Sequence, residues 1–182
     1  MVDDKTLVDA IVNKNSAALK EMMDTYGDRL LKSAYLITRN NETAQDVVQE
    51  TFTSAYFSMR LFKGESRLYT WLYSIMLNHC KKVLRNRWLR NVDYTNDVQQ
   101  KSTSYSHNST NGIEVKLDIE NAINSLPENY RRLAVLFYYE DFTIKEISEI
   151  TGKKEGTIKS SLSRLRVIIR EHLGGGIRYE QE

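Results

Sequence analysis

A single proline, Pro127, stands in 182 residues, and no Val- or Thr-rich alternating run accompanies it. Almost nothing interrupts helical hydrogen bonding, and no period of two is present to build a sheet, so the chain reads as all-α. Apolar residues recur at three-to-four spacing instead. Leu19, Met22, Met23, Tyr26, Leu30, Ala34 and Ile37 draw one such stripe. The pattern predicts helices near 4–13, 16–38, 42–59 and 69–90, with breaks at Asn40-Asn41 and at Lys63-Gly64-Glu65-Ser66.

That periodicity stops abruptly at NVDYTNDVQQKSTSYSHNSTNG, residues 91–112. A stretch so polar cannot bury enough surface to offset the entropy of ordering it, and it predicts a flexible linker. The expected architecture is therefore two small helical domains, residues 1–90 and 113–173, joined by the linker 91–112 and followed by a disordered tail, 174–182, after three glycines. In the second domain a helix through Leu117, Ile119, Ala122 and Ile123 should end before Leu126-Pro127. A new helix should then run from Pro127-Glu128 to about Tyr139.

Net charge is only +2, yet it is distributed unevenly. Acids outnumber bases up to about Phe57. Between Arg60 and Arg90, eight cations face only Glu65, and a second basic block from Lys153 to Arg170 holds one acid, Glu155. Such segregation suits a protein that meets a polyanion with one surface and another partner with a second.

The C-terminal block gives the sharpest signal, in KEISEITGKKEGTIKSSLSRLR. Thr143 and Glu146 have capping-box spacing, Ile144, Ile147 and Ile150 share one face, and Gly152 follows where a positive φ turns the chain. In the next helix Ile158, Leu162, Leu165 and Ile169 face inward. At 100° per residue, Lys153, Gly156, Ser160, Ser163 and Arg164 fall on the opposite arc, with Thr157 and Lys159 at its edges. Cations, small hydroxyls and a glycine, free of long acids, form the surface of a recognition helix in a DNA major groove, and the layout is helix-turn-helix.

Catalysis finds no support. His79 and Cys80 are adjacent and point about 100° apart, no second cysteine or H-E-x-x-H is present, and GGG is terminal rather than part of a phosphate loop. No catalytic residue, metal, cofactor or small-molecule substrate is expected. One cysteine fits a reducing cytoplasm. The acidic start MVDDKTLVDAIV is unlike a signal peptide, and no run is long enough to enter a membrane directly.

Four stretches, TAQDVVQETFTSAY, FKGESRLYTWLYSIMLNHCKKVLR, LPENYRRLAVLFYYEDFTIKEISEITG and GTIKSSLSRLR, together resemble the extracytoplasmic-function (ECF, group IV) branch of the bacterial sigma-70 family. The resemblance implies a factor that binds core RNA polymerase and directs promoter-specific initiation. Asp46, Gln49, Glu50 and Phe52 match the polymerase-binding segment and would meet the β′ coiled coil. Residue chemistry agrees for the polar face Asp46, Gln49, Glu50 and Thr53, but puts Val47, Val48 and Phe52 toward the core.

The same resemblance assigns −10 recognition and melting to Lys63, Ser66, Arg67, Tyr69, Asn78, Lys81, Arg85 and Arg87, and −35 recognition to Lys153, Thr157, Lys159, Ser160, Ser163 and Arg164. A cationic loop with an aromatic offsets the few kcal/mol needed to extrude a base. Leu68, Ser74 and Lys82 depart from what many relatives carry, so no −10 base preference is carried over. Arg131 and Arg132 are candidates for phosphate or β-flap contacts, and Trp71 for core. The partners implied are core polymerase, promoter DNA and a cognate anti-sigma factor. Two alternatives from other classes are a stand-alone helix-turn-helix regulator, which would bind an operator without polymerase, and an interaction protein that docks an antagonist.

Overall fold

The structure, a computed structural model, describes residues 3–91 and 122–173. The linker beyond Asn91, the helix expected through Leu117 and the tail after Leu173 lie outside those residues. Every regular element among the described residues is helical.

Four helices form the N-terminal lobe. Helix α1 spans Asp4–Val12, α2 Ser16–Thr38, α3 Asn41–Ser58 and α4 Leu68–Asn91, with a 3-10 turn at Met59–Leu61. Short asparagine caps set the boundaries. Asn15 accepts from the backbone N–H groups of Ala17 and Ala18 at 2.9 and 3.2 Å, and Asn40 from that of Thr43 at 2.8 Å. Each cap satisfies donors that the first helical turn leaves free. Helix α2 ends where Arg39 turns left-handed, at φ 56°.

Each helix buries the face its sequence marks. Met22, Leu30, Ala34 and Ile37 of α2, Ala44, Val47 and Ala55 of α3, and Leu68, Leu72, Met76 and Cys80 of α4 are almost fully buried in one core. The α4 series repeats every four residues, so a single stripe fills the bundle centre. The Asp4 carboxylate fastens α1 over the start of α4 by accepting from the Leu68 N–H at 2.8 Å and the Tyr26 hydroxyl at 3.3 Å.

In the C-terminal lobe residues 122–125 are helical and Pro127 resets the chain. Helix α5 spans Glu128–Ala134 and passes directly into a π-helical turn, Val135–Tyr139. Helices α6, Ile144–Thr151, and α7, Glu155–Leu173, follow. The helix expected to run unbroken to Tyr139 thus changes its winding halfway. In the wider turn Glu140 N–H reaches the Val135 carbonyl, five residues back, at 2.9 Å, and Phe142 N–H reaches that of Leu136 at 3.1 Å.

The wide turn has a large consequence. Sequence patterning separates two lobes, but it gives no sign that they touch, and here they pack together. Glu140 and Phe142 leave the π-turn pointing into the N-terminal lobe, where both are buried. The core is therefore continuous from α1 to α7.

Candidate nucleic-acid interface

Helix α6 begins with a complete capping box. Thr143 N–H donates to Glu146 Oε2 at 2.9 Å, and Glu146 N–H returns to Thr143 Oγ1 at 3.2 Å. Ile147 and Ile150 are buried, and Gly152 at φ 69° ends the helix, its N–H on the Ser148 carbonyl at 2.8 Å. Ser148 Oγ tightens the turn by donating to the Lys153 carbonyl at 2.6 Å.

Helix α7 then packs Ile158, Leu162 and Leu165 inward. Gly156, Thr157, Lys159, Ser160, Ser163 and Arg164 are all exposed, which makes one continuous outer arc of cations and hydroxyls. A Cβ placed on Gly156 would meet nothing within 4 Å, so no other part of the chain covers the ridge at that point. One sequence expectation shifts. Lys153 lies in the turn before α7 rather than on the helix itself, flanking the arc at its N-terminal end.

The candidate −10 residues separate into two groups. Asn78 and Arg85 are exposed on α4 at a spacing of seven, with Lys81 between them. Its Nζ donates to Asn78 Oδ1 at 3.4 Å. Burial first, and then the charges of Arg132 and Lys153, push the Lys81 ammonium below its ordinary value. The C-terminal lobe therefore crowds this basic face with further cations. Lys63 is exposed and Ser66 half-buried in the loop before α4, where Gly64 takes φ 71°. The Arg87 side chain lies outside what the structure describes.

The second group is engaged. Tyr69 is 6% exposed, so in this arrangement it cannot stack on an extruded base. Its ring lies 5.5 Å from Tyr26, 5.9 Å from Tyr73 and 5.9 Å from Phe142, beneath the Arg29 guanidinium at 4.4 Å. Its hydroxyl donates to Glu140 Oε2 at 3.0 Å. Burial, then the Glu140 charge, raise the Tyr69 hydroxyl far above the ordinary tyrosine range. Arg67, although solvent-exposed, is paired with Glu146 of the C-terminal lobe.

Asp46, Gln49 and Glu50 are exposed on α3 as one polar face. Phe52, matched to the same segment, is buried in the core, as its place in the helical period suggested. A groove between α3 and α4 sets Asp46 and Glu50 on one wall against His79 and Lys82 on the other. His79 Nε2 lies 3.0 Å from Ser54 Oγ. Arg131, a candidate for phosphate, is instead buried, and its guanidinium donates to the Leu126 carbonyl at 3.0 Å, holding the turn before α5. Trp71 packs on Phe62 at 5.4 Å against the core.

Arg29, Ser33, Glu140 and Phe142 are absent from the sequence-derived site, although they join the lobes. One cue was available, two acids, Glu140 and Asp141, embedded in the apolar run LFYYEDF. A buried carboxylate needs partners, but the sequence does not name them. Among the described residues there is no group of three His, Cys, Asp or Glu able to hold a metal, and no helix is long and apolar enough to cross a membrane.

Comparison with known proteins gives concordant matches. Residues 22–90 match the family model for sigma-70 region 2, and residues 116–168 that for sigma-70 region 4. The chain is 30% identical over 169 residues to the ECF RNA polymerase sigma factor SigW of Bacillus subtilis, covering 86% of this chain and 89% of that one. It is 29% identical to the ECF RNA polymerase sigma-E factor of Haemophilus influenzae, with 93% and 95% coverage. Among solved structures, the sigma factor RpoE in complex with the anti-sigma factor NepR from Bartonella quintana superposes with a TM-score of 0.71 at 25% identity, over 87% of this chain and 98% of that one. CnrH, in complex with the cytosolic domain of CnrY, shares the fold at a TM-score of 0.69 and 18% identity, over 96% and 99%.

Proposed function

The chain belongs to the extracytoplasmic-function branch of the sigma-70 family of RNA polymerase sigma factors, and on that premise we propose how its surfaces divide the work of promoter recognition. As a sigma factor it is a transcription initiation factor rather than an enzyme: it joins core RNA polymerase and directs it to promoters. RNA synthesis belongs to the polymerase.

Helix α7 reads the −35 element as duplex. The observation that carries this reading is its exposed ridge of Thr157, Lys159, Ser160, Ser163 and Arg164 opposite a buried Ile158-Leu162-Leu165 stripe. Lys153, at the head of the ridge, reaches phosphate. Phosphate contacts fix register, and the hydroxyls and Arg164 read base edges.

Lys63, Ser66 and Arg67, with Asn78, Lys81, Arg85 and Arg87, form the −10 surface that holds the non-template strand after melting. Tyr69 joins them only once the lobes part. Asp46, Gln49 and Glu50 dock on the β′ coiled coil, and the C-terminal lobe meets the β flap. An anti-sigma factor is a further partner, a reading supported by the RpoE relative, whose structure was solved with one.

Gel shift with and without core polymerase tests the whole: this chain should bind promoter DNA well only with core, a stand-alone repressor without it. Arg164→Ala should weaken −35 binding by about 1–3 kcal/mol and relax specificity there, whereas Lys159→Ala should weaken binding across sequences and lower the salt slope by about one. Asn78→Ala should impair strand opening, followed by permanganate footprinting, more than initial binding. Unchanged opening in that variant removes Asn78 from the −10 surface.

A further inference from the structure

Glu140 is the least expected feature of the molecule. Its carboxylate is completely buried, yet each donor to it comes from the N-terminal lobe. Arg29 Nε donates to Oε2 at 2.6 Å, Tyr69 to the same oxygen at 3.0 Å, and Ser33 Oγ to Oε1. Arg29 also donates to the Glu140 backbone carbonyl at 3.1 Å. Beside it Phe142 lies edge-on to Tyr73 at 4.9 Å and stacks on Tyr69. At the rim Arg67 pairs with Glu146.

This constellation has the properties of a latch. A carboxylate is tolerated in a dry seam only while paired and hydrogen-bonded. Its partners therefore act together, and the seam is either fully formed or, on separation, solvated throughout. Two of the groups consumed by it, Arg67 and Tyr69, belong to the −10 surface assigned above. Neither can hold its partner across the seam and a DNA strand at once. Across the same junction the charges of Arg132 and Lys153 act on Lys81 of α4, a like-charge push that opposes the closed form.

We propose that the Glu140 carboxylate, received by Arg29, Ser33 and Tyr69, is an autoinhibitory latch that keeps the free sigma factor closed with Arg67 and Tyr69 withheld from DNA. Binding to core polymerase, or to single-stranded −10 DNA, then has to open the seam, and affinity is reduced by the fraction of molecules that are closed. The latch rests on the −10 assignment for its inhibitory effect, but not for its existence.

Two variants of the full chain test it, each with helicity verified by circular dichroism. Glu140→Gln preserves shape and removes the carboxylate to which Arg29 donates. Arg29→Ala truncates a half-exposed side chain on α2, and so keeps the question answerable if the first variant fails to fold. Small-angle scattering of the free protein should report a larger radius of gyration for both than for the natural chain. The concentration giving half-maximal promoter transcription with core polymerase should fall about tenfold. An unchanged radius in the folded variants overturns the latch, and a larger radius with unchanged half-saturation overturns its inhibitory role. Failure of the natural chain to support promoter-selective transcription would instead sink the functional reading, while scattering still judges the seam.

Discussion

Cys80 shows how far one buried atom constrains the lobe around it. Its Sγ contacts Met76 Sδ at 3.5 Å in the centre of the bundle, and burial pushes the thiol from an ordinary 9.0 up to about 12. Because the folded value is the higher one, the thiol's contribution to stability is complete below about pH 9. It is lost progressively as the unfolded chain ionises and the folded chain does not. Tyr69 and Tyr73, raised by the same desolvation, add to that loss from about pH 10 upward. The melting temperature should therefore fall steeply between about pH 9 and pH 12. Cys80→Ala should flatten the stability slope by up to one proton, about 1.4 kcal/mol per pH unit. A melting curve insensitive to alkali would contradict the assigned burial. At this scale the sequence was uneven in what it revealed. Lys159, Ser160 and Arg164 were legible because helical period alone decides that they face out. Tyr69 and Arg131 were not, since a polar tip on a long apolar body says nothing about which neighbour will cover it.

The α6–α7 unit was readable in its caps and its faces, Lys153 apart, and the reason is that its determinants are local. Thr143 and Glu146 lie three residues apart, and Gly152 follows the helix it ends. Thr143→Ala should cost about 1 kcal/mol by leaving a terminal N–H unsatisfied. Gly152→Ala should cost about 1–2 kcal/mol, for although a Cβ there meets nothing within 4 Å, a φ of 69° strains any L side chain. Both are measurable as shifts in the denaturant midpoint, and the glycine variant should also lose −35 affinity because α7 is re-aimed. The Glu146 carboxylate adds a pH signature: burial raises it, but the Thr143 N–H, Arg67 and the Thr143 hydroxyl together hold it below its usual range. A depressed value means that the cap is intact above the ordinary carboxylate range and weakens as pH falls below it. The π-turn at 135–139 was illegible by contrast. Nothing in VLFYY distinguishes five-residue from four-residue winding; what selects it is the burial of Glu140 and Phe142 against helices that lie 69 to 111 positions earlier in the chain.

On the proposed reading the molecule faces two demands, since the seam is to be closed in the free protein while each lobe's DNA-reading surface is to reach its own promoter element. Two modest contacts on one chain gain affinity through effective concentration only when both can be made at once. Once the lobes sit on polymerase their separation is fixed, and the DNA must match it. Each added base pair moves the −35 site by about 3.4 Å and rotates it by about 35° around the duplex axis. If Arg164 and the hydroxyls of α7 read base edges as proposed, they act over hydrogen-bond distances and a shift of that size removes their contacts, while the proposed phosphate contacts from Lys153 and Lys159 tolerate more. Transcription in vitro from promoters whose −10/−35 spacing is varied one base pair at a time should therefore peak sharply. It should fall about tenfold one or two base pairs from the optimum, the equivalent of losing one contact of about 1.4 kcal/mol. In Lys159→Ala the peak should be lower but equally sharp, and in Arg164→Ala lower and broader, because only the second variant loses a contact that depends on rotational phase. A flat profile for the natural chain would mean that α7 contributes no fixed anchor at −35.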